Sequence, residues 1–294
     1  MSKVLVIGGS GFLGSHVADC LIENNHKVTI FDKSSNLYFN DKQKFIKGDT
    51  LSSSDLSKAI KGNDIVYNFS GISEIDEVKK NPIEGVKQNI LSNVMILDLC
   101  KKYKIKRYIF GSSIYVHSNS GNFYKSTKIA CESLIESYEE VYGLNYTILR
   151  YGSIYGLRSD NRNGIYNFIF QAIKDKKINF NGKSDALREY IHVLDASRIS
   201  VEILNKKYTN KHIILTGNQS TKIKDLITMI KNILNNNKIK VTYKETKNSH
   251  YHMTPYSYNP KFGIKLTSNP SVDLGQGLLE IINDIKTKSN NDKK

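Results

Sequence analysis

The chain has 294 residues, 43 basic side chains against 28 acidic ones for a formal charge of +15, and three cysteines. That length suffices for one large buried core and a smaller lobe, while Cys20, Cys100 and Cys131 are scattered through helical patterns without metal-ligand spacing, which argues for reduced core residues and against a disulfide framework or a metal site. No apolar run reaches bilayer-spanning length and the first residues enter a strand, so a cytoplasmic protein without a membrane partner is expected. The positive charge invites a nucleic-acid partner, but the lysines run along the whole chain beside abundant Asn and Ile. This is the pattern of a compositional bias, and no nucleic-acid binding is expected.

In chain order, the apolar run Val4-Leu5-Val6-Ile7 meets Gly8-Gly9-Ser10-Gly11-Phe12-Leu13-Gly14, a helical pattern follows, and Val28-Thr29-Ile30-Phe31 ends in Asp32. Gly8, Gly11 and Gly14 allow a tight turn, a backbone approach to a pyrophosphate and close helix–strand packing. Asp32 stands where a carboxylate bonds ribose hydroxyls and repels a 2′-phosphate, which favours NAD; Lys33 beside it is the one feature that would suit NADP. The pattern predicts strands over 3–7, 27–31, 44–47, 65–69, 108–110 and 145–150, and helices over 14–24, 51–60, 82–103 and 124–141. Such alternation predicts an α/β fold, a Rossmann-type doubly wound parallel sheet with its ligand crevice at the carboxyl ends of the strands.

The strand Tyr108-Ile109-Phe110 ends in Gly111-Ser112-Ser113, and Tyr124-Lys125-Ser126-Thr127-Lys128 opens the next helix, where positions four apart share a face. Tyr124 is then a candidate base for a hydroxyl proton. Its ordinary pKa of about 10 must be lowered for that task, and the Lys128 ammonium and a positive nicotinamide ring are expected to lower it. Ser113 would hold the same substrate oxygen. After residue 155 the alternation gives way to a helix near 165–174, a strand near 211–215, helices near 223–234 and 275–285, and a lysine-rich tail. The expected organisation is a nucleotide domain over 1–155, a discontinuous substrate lobe over 156–285 and a flexible tail over 286–294.

With these elements in this order the chain resembles the extended short-chain dehydrogenase/reductase family, in particular its NAD-dependent enzymes that epimerise, dehydrate or reduce nucleotide-activated sugars. The resemblance spans nearly the whole length. It implies that Gly8, Gly11, Phe12, Leu13, Gly14, Asp32 and Lys33 line the cofactor together with Asp49 and Thr50 from Lys47-Gly48-Asp49-Thr50, Phe69, Ser70 and Gly71 from Asn68-Phe69-Ser70-Gly71, and Tyr151. Asn89, Ser113, Tyr124 and Lys128 fall on the family's catalytic tetrad, with Tyr124 and Lys128 also touching cofactor and Lys128 bonding the nicotinamide ribose. Leu149-Arg150-Tyr151-Gly152-Ser153-Ile154-Tyr155-Gly156 resembles the turn into the substrate half, and Arg188-Glu189-Tyr190-Ile191-His192-Val193-Leu194-Asp195 a second substrate element.

Substrate contacts are accordingly expected at Ser73, Ser113, Tyr124, Ser153 and Arg188, the last as a forked clamp on a diphosphate, with a salt bridge to Glu189 as its plainer alternative. His192 is expected to be structural, and His250 and His252 are candidate substrate contacts. Three departures matter. Ile114 and Tyr115 stand where 4,6-dehydratases carry an acid–base pair, which argues against dehydration; His117 stands where a tyrosine is usual; Ser153 replaces a common asparagine. The resemblance implies a nucleotide-diphosphate-sugar substrate, oxidation at C4 through a 4-keto sugar, a 4-epimerase of surface-polysaccharide precursor synthesis as the leading reading, and a homodimer. A net dehydrogenase or 4-keto reductase acting on a GDP-, UDP- or CDP-linked sugar, and a non-catalytic nucleotide sensor, are the alternatives.

Overall fold

The computed structural model describes residues 1–35, 38, 40–118, 121–244, 264–268 and 270–291. The chain begins with β1 (Lys3–Ile7), α1 (Phe12–Glu23), β2 (Lys27–Asp32), β3 (Gln43–Lys47) and α2 (Ser53–Ile60). Ser52 caps α2, its hydroxyl accepting the Asp55 amide at 3.3 Å. Next come β4 (Ile65–Asn68), α3 (Ile75–Lys80), α4 (Pro82–Gly85), a π-helical stretch (Val86–Leu91) and α5 (Ser92–Lys102). The single helix expected over 82–103 is therefore interrupted by a π segment, and α3 precedes it. A π segment is one short turn inside a longer helix, and no composition cue in the sequence marks it.

β5 (Arg107–Ser113), a 3-10 turn (Ile114–His117), α6 (Asn122–Tyr142) and β6 (Tyr146–Tyr151) complete the first stretch. The chain continues with β7 (Ser153–Tyr155), α7 (Gly164–Lys174), β8 (Lys177–Phe180), β9 (Leu187–His192), α8 (Val193–Glu202), β10 (Lys211–Leu215), β11 (Ser220–Lys222), α9 (Ile223–Ile233), β12 (Lys240–Tyr243), β13 (Ile264–Leu266) and α10 (Leu274–Asn291).

Two compact units result. The first comprises residues 1–151, 197–215 and, among the described residues, 264–266. It holds one eight-stranded sheet in the order β13-β10-β6-β5-β4-β1-β2-β3. Every neighbouring pair is parallel. Strands buried on both faces read as continuous apolar runs, which is why Val4–Ile7 was legible. A core of Leu5, Phe31, Leu56, Ile96, Tyr108 and Ile148 packs helices α2, α5 and α6 against the sheet.

The second unit comprises, among the described residues, 152–196, 216–244, 267–268 and 270–291. It has a three-stranded sheet, β11-β9-β7, and a two-stranded one, β12-β8. Phe168, Ile169, Phe180, Leu226, Ile230 and Leu278 form its core. Three expectations are corrected here. The division falls after Tyr151 and not after residue 155; residues 197–215 and β13 belong to the nucleotide unit, where β10 and β13 extend its sheet, and not to the substrate lobe; and α10 continues to Asn291, so the tail expected from residue 286 is helical to that point. The Leu278, Ile281, Ile282 and Ile285 stripe supports that helix, and its polar last turns concealed it.

Candidate active site

The predicted cofactor residues collect at the carboxyl ends of the parallel strands. β1 stops at Ile7, Gly8 turns with φ +77, and the Gly11 amide donates to Gly8 O at 3.2 Å before α1 begins. A Cβ on Gly14 would fall 2.3 Å from Gly8 O, so α1 can lie this close to the turn only with glycine there. No side chain caps the amino end of α1, which leaves the first-turn N–H groups as donors for an anion. Asp32 ends β2 beside β1, and its carboxylate accepts the amides of Ser10 and Ser34, each at 3.0 Å, so a negative charge is fixed at the rim of the turn. Lys33 is exposed next to it. Donors for a pyrophosphate and an acid for ribose hydroxyls thus stand where a dinucleotide needs them.

At the end of β3 the exposed Asp49 accepts the Leu51 amide at 2.8 Å, and Thr50 follows it half-buried. After β4, Ser70 is held to Asn68 Oδ1 through its hydroxyl at 2.6 Å and its amide at 3.0 Å, Phe69 packs edge-on against Tyr151, and Gly71 turns with φ +115 toward the exposed Ser73. Tyr151 differs from expectation in one respect. Its hydroxyl is bonded to Ser200 Oγ at 2.6 Å in the interior, which leaves its ring and backbone as the parts that can meet a cofactor.

Ser113, Tyr124 and Lys128 converge at the end of β5. All three are buried, at 7%, 8% and 8% exposure. Ser113 is hydrogen-bonded to the Tyr124 phenol, and its hydroxyl also accepts the Tyr115 amide at 3.3 Å. Tyr115 stands edge-on to Tyr124 with ring centroids 6.5 Å apart. Ile114 and Tyr115, opening the 3-10 turn, offer no carboxylate beside Ser113. Lys128 Nζ donates to Gly111 O at 2.7 Å and lies 4.7 Å from the Phe110 ring centroid and 5.8 Å from that of Tyr124. Burial pushes the Tyr124 phenol up to about 12 against the pull of Ser113, and burial lowers Lys128.

Asn89 is tied into the same region. It lies in the π segment, and its amide is fully bonded: Nδ2 donates to Ile72 O at 3.1 Å and Thr127 Oγ1 at 3.0 Å, while Oδ1 accepts the Ile72 amide at 2.7 Å. Thr127 in turn donates to Tyr124 O at 2.8 Å. Asn89 therefore ties the segment after β4 to the turn of α6 that carries Tyr124 and Lys128, a positioning role. Its backbone carbonyl accepts the Cys131 thiol at 3.2 Å. Cys20, Cys100 and Cys131 are free and buried, and burial raises Cys20 to about 11 and Cys131 to about 12, so the thiol form persists at neutral pH. Ser112, Thr127, Glu132 and Arg150 were missed in the sequence, although Glu132 follows Lys128 at the same four-residue spacing that revealed Tyr124.

In the second unit, Ser153 opens β7 opposite Tyr190, half-buried. Arg188 on β9 is 5% exposed and donates Nη1 to Leu187 O at 2.7 Å, while Glu189 accepts the Ser220 hydroxyl at 3.3 Å. His192 packs edge-on against Tyr155 with centroids 5.1 Å apart, and its Nε2 lies 3.4 Å from Glu280 on α10, as a structural residue would. His250 and His252 lie outside the described residues. Among the described residues no helix is long and apolar enough to cross a membrane.

A family model described as the NAD dependent epimerase/dehydratase family matches residues 4–217. A protein of Methanocaldococcus jannaschii described as a putative UDP-glucose 4-epimerase is 27% identical over 97% of this chain and 99% of its own. Among solved structures, the UDP-N-acetylglucosamine 4-epimerase of Methanobrevibacter ruminantium, in complex with UDP-N-acetylmuramic acid, matches with a TM-score of 0.83 and 26% identity over 98% of this chain and 99% of that one. The UDP-glucuronic acid 4-epimerase of Bacillus cereus, in complex with UDP-glucuronic acid and NAD, matches with a TM-score of 0.84 and 25% identity over 97% and 99%. Glycine turn, Asp32, the Ser113-Tyr124-Lys128 cluster and a family match that takes in the nucleotide sheet from β1 to β10 agree: the chain is an NAD-dependent enzyme and belongs to the NAD-dependent epimerase/dehydratase family.

Proposed function

We propose that the protein is a nucleotide-sugar 4-epimerase, acting on a UDP-linked sugar. The reading is carried by one observation, the buried Ser113-Tyr124-Lys128 cluster at the end of β5, followed by Ile114 and Tyr115 where a dehydratase needs an acid and a base. NAD would be held by Gly8, Gly11, Phe12, Leu13 and Gly14 at the amino end of α1, by Asp32 on the ribose, with Lys33 at the rim, and by Asp49, Thr50, Phe69, Ser70, Gly71 and Tyr151. When bound it supplies the hydride acceptor and a positive charge that favours the phenolate. Ser113 orients the C4 hydroxyl, Tyr124 takes its proton and later returns it, and Lys128, donating to Gly111 O at 2.7 Å, fixes the strand end against α6. Ser73, Ser153 and Arg188 are the proposed sugar-nucleotide contacts, of which Arg188, with its guanidinium folded onto Leu187 O, would need to turn outward to meet a diphosphate.

We further propose a cytoplasmic homodimer that supplies a polysaccharide precursor. Exposed Val86 and Leu91 on the helical run before α5, with Ile129, Val141 and Tyr142 on α6, are apolar groups that a second copy would cover. The activity is tested by incubating the purified protein with UDP-glucose, UDP-N-acetylglucosamine and UDP-glucuronic acid and identifying the products. A C4 epimer with no net change in NADH absorbance is expected, whereas accumulating NADH with a 4-keto product makes the enzyme a net dehydrogenase.

A further inference from the structure

Tyr124, Lys128 and Glu132 follow one another at four-residue spacing along α6, and the third member is bound into a buried ionic knot. Glu132 accepts Ser112 Oγ at 2.5 Å and meets Arg150 through Nε at 3.1 Å and Nη2 at 2.6 Å. Ser112 and Arg150 are partners in the β5–β6 register, and Ser112 directly precedes Ser113. Two further imidazoles complete the knot: His212 on β10 lies 3.7 Å from Glu132 and 2.8 Å from Glu136, and His117, in the turn after Ser113, faces Arg150 with Nε2 2.9 Å from Nη1.

A buried pair of this kind seldom adds net stability over apolar packing, but it admits one alignment only. Here that alignment sets Ser112 against Glu132 and, one residue on, Ser113 against Tyr124. Arginine has donors only, so the nitrogen that faces Arg150 must be bare and His117 neutral. Burial and the Arg150 charge hold His117 below the ordinary histidine range, with His212 acting in the same direction and Glu132 against it. His117 is exposed, so protons reach it.

We propose that Glu132 and His117 are positioning residues for the reaction: Glu132 fixes the register of the Tyr124-Lys128 helix on β5, and neutral His117 ties the turn after Ser113 to the same knot. The inference rests on Ser113, Tyr124 and Lys128 being the catalytic set. Protonation of His117 removes the acceptor and sets a cation against Arg150, so the turn beside Ser113 is released as the pH falls.

The test is kcat and KM against pH for the wild type, H117Y, H117F, E132Q and Y124F, each checked for folding and NAD binding. The wild type should lose kcat, with KM held, below a midpoint lower than about 6.5, the ordinary histidine value. H117Y offers a phenol oxygen that accepts from Arg150 and does not titrate in acid, so that limb should disappear. H117F, without an acceptor, should lower kcat about tenfold to a hundredfold at neutral pH through misplacement. E132Q should lower kcat more than it changes KM or NAD binding. An acid limb unchanged in H117Y, or a wild-type kcat in H117F or E132Q, overturns the proposal while a dead Y124F leaves the catalytic assignment standing; an active Y124F overturns that assignment and the proposal with it.

Discussion

The turn after β1 and the cluster after β5 sit at the carboxyl ends of strands in one sheet, yet they work with different materials. The first is backbone: Gly8 at φ +77, Gly14 against Gly8 O, and uncapped N–H groups at the start of α1. The second is side chain: Ser113, Tyr124 and Lys128, all buried, with burial raising the Tyr124 phenol and lowering Lys128. A site built from backbone is lost when an atom is added. A site built from buried side chains is lost when a group is removed or its charge state changed. The two therefore fail separately, binding without chemistry or neither.

The largest effect should separate them. Tyr124→Phe should lower kcat by about 10²–10⁴-fold, the range of a general acid–base group, while NAD affinity measured by calorimetry stays near wild type. Comparable losses in both would join the two regions into one. Glu132→Ala removes one partner of the buried Arg150 pair and should destabilise the fold by about 3–5 kcal/mol, read from denaturant midpoints. Its pH dependence has a definite sign. Burial raises the Glu132 carboxyl in the fold, but hydrogen bonds from His212, Arg150 and Ser112 and the Arg150 charge together outweigh it and hold the group at about 2, below its ordinary 4.5. Its contribution is then complete above about 4.5 and is lost as the pH falls toward about 2, so E132Q should flatten the acid side of the midpoint–pH curve.

On the backbone side, Gly14→Ala places a methyl 2.3 Å from Gly8 O and should weaken NAD at least about tenfold with the Ser113–Tyr124 geometry unchanged. The smallest effect belongs to Asp32→Ser, which removes the carboxylate beside Ser10 and should narrow the preference for NAD over NADP by about tenfold, an amount typical of one charged contact. An unaltered preference would place the discrimination elsewhere on the rim.

The same division explains what could be read from residues alone. Val4–Ile7, the glycines and Asp32 were legible because a buried parallel strand and a phosphate turn each restrict composition locally. Tyr124 and Lys128 were legible by helical spacing, and Glu132 shared the signal but was overlooked because its partners, Ser112 and Arg150, come from two different strands. The engagement of the Asn89 amide by Ile72 and Thr127 is a fact of tertiary hydrogen bonding that no local pattern carries. The return of residues 197–215 to the nucleotide unit was missed for the same reason, since the pairing of Ile213 with Leu149 spans the whole first segment of the second unit. Burial, which pushes the Tyr124 phenol up, is a tertiary fact that the Tyr-x-x-x-Lys spacing does not carry.

The central claim is that one site removes hydride from C4 and returns it to the same carbon while Tyr124 moves the proton. It is tested most directly by converting a UDP-sugar deuterated at C4 in ordinary water, with unlabelled NAD in excess, and analysing the epimer by mass spectrometry. The account predicts that the C4 deuterium is retained in the product. Deuterium lost to water, or found in the free cofactor pool, would contradict it.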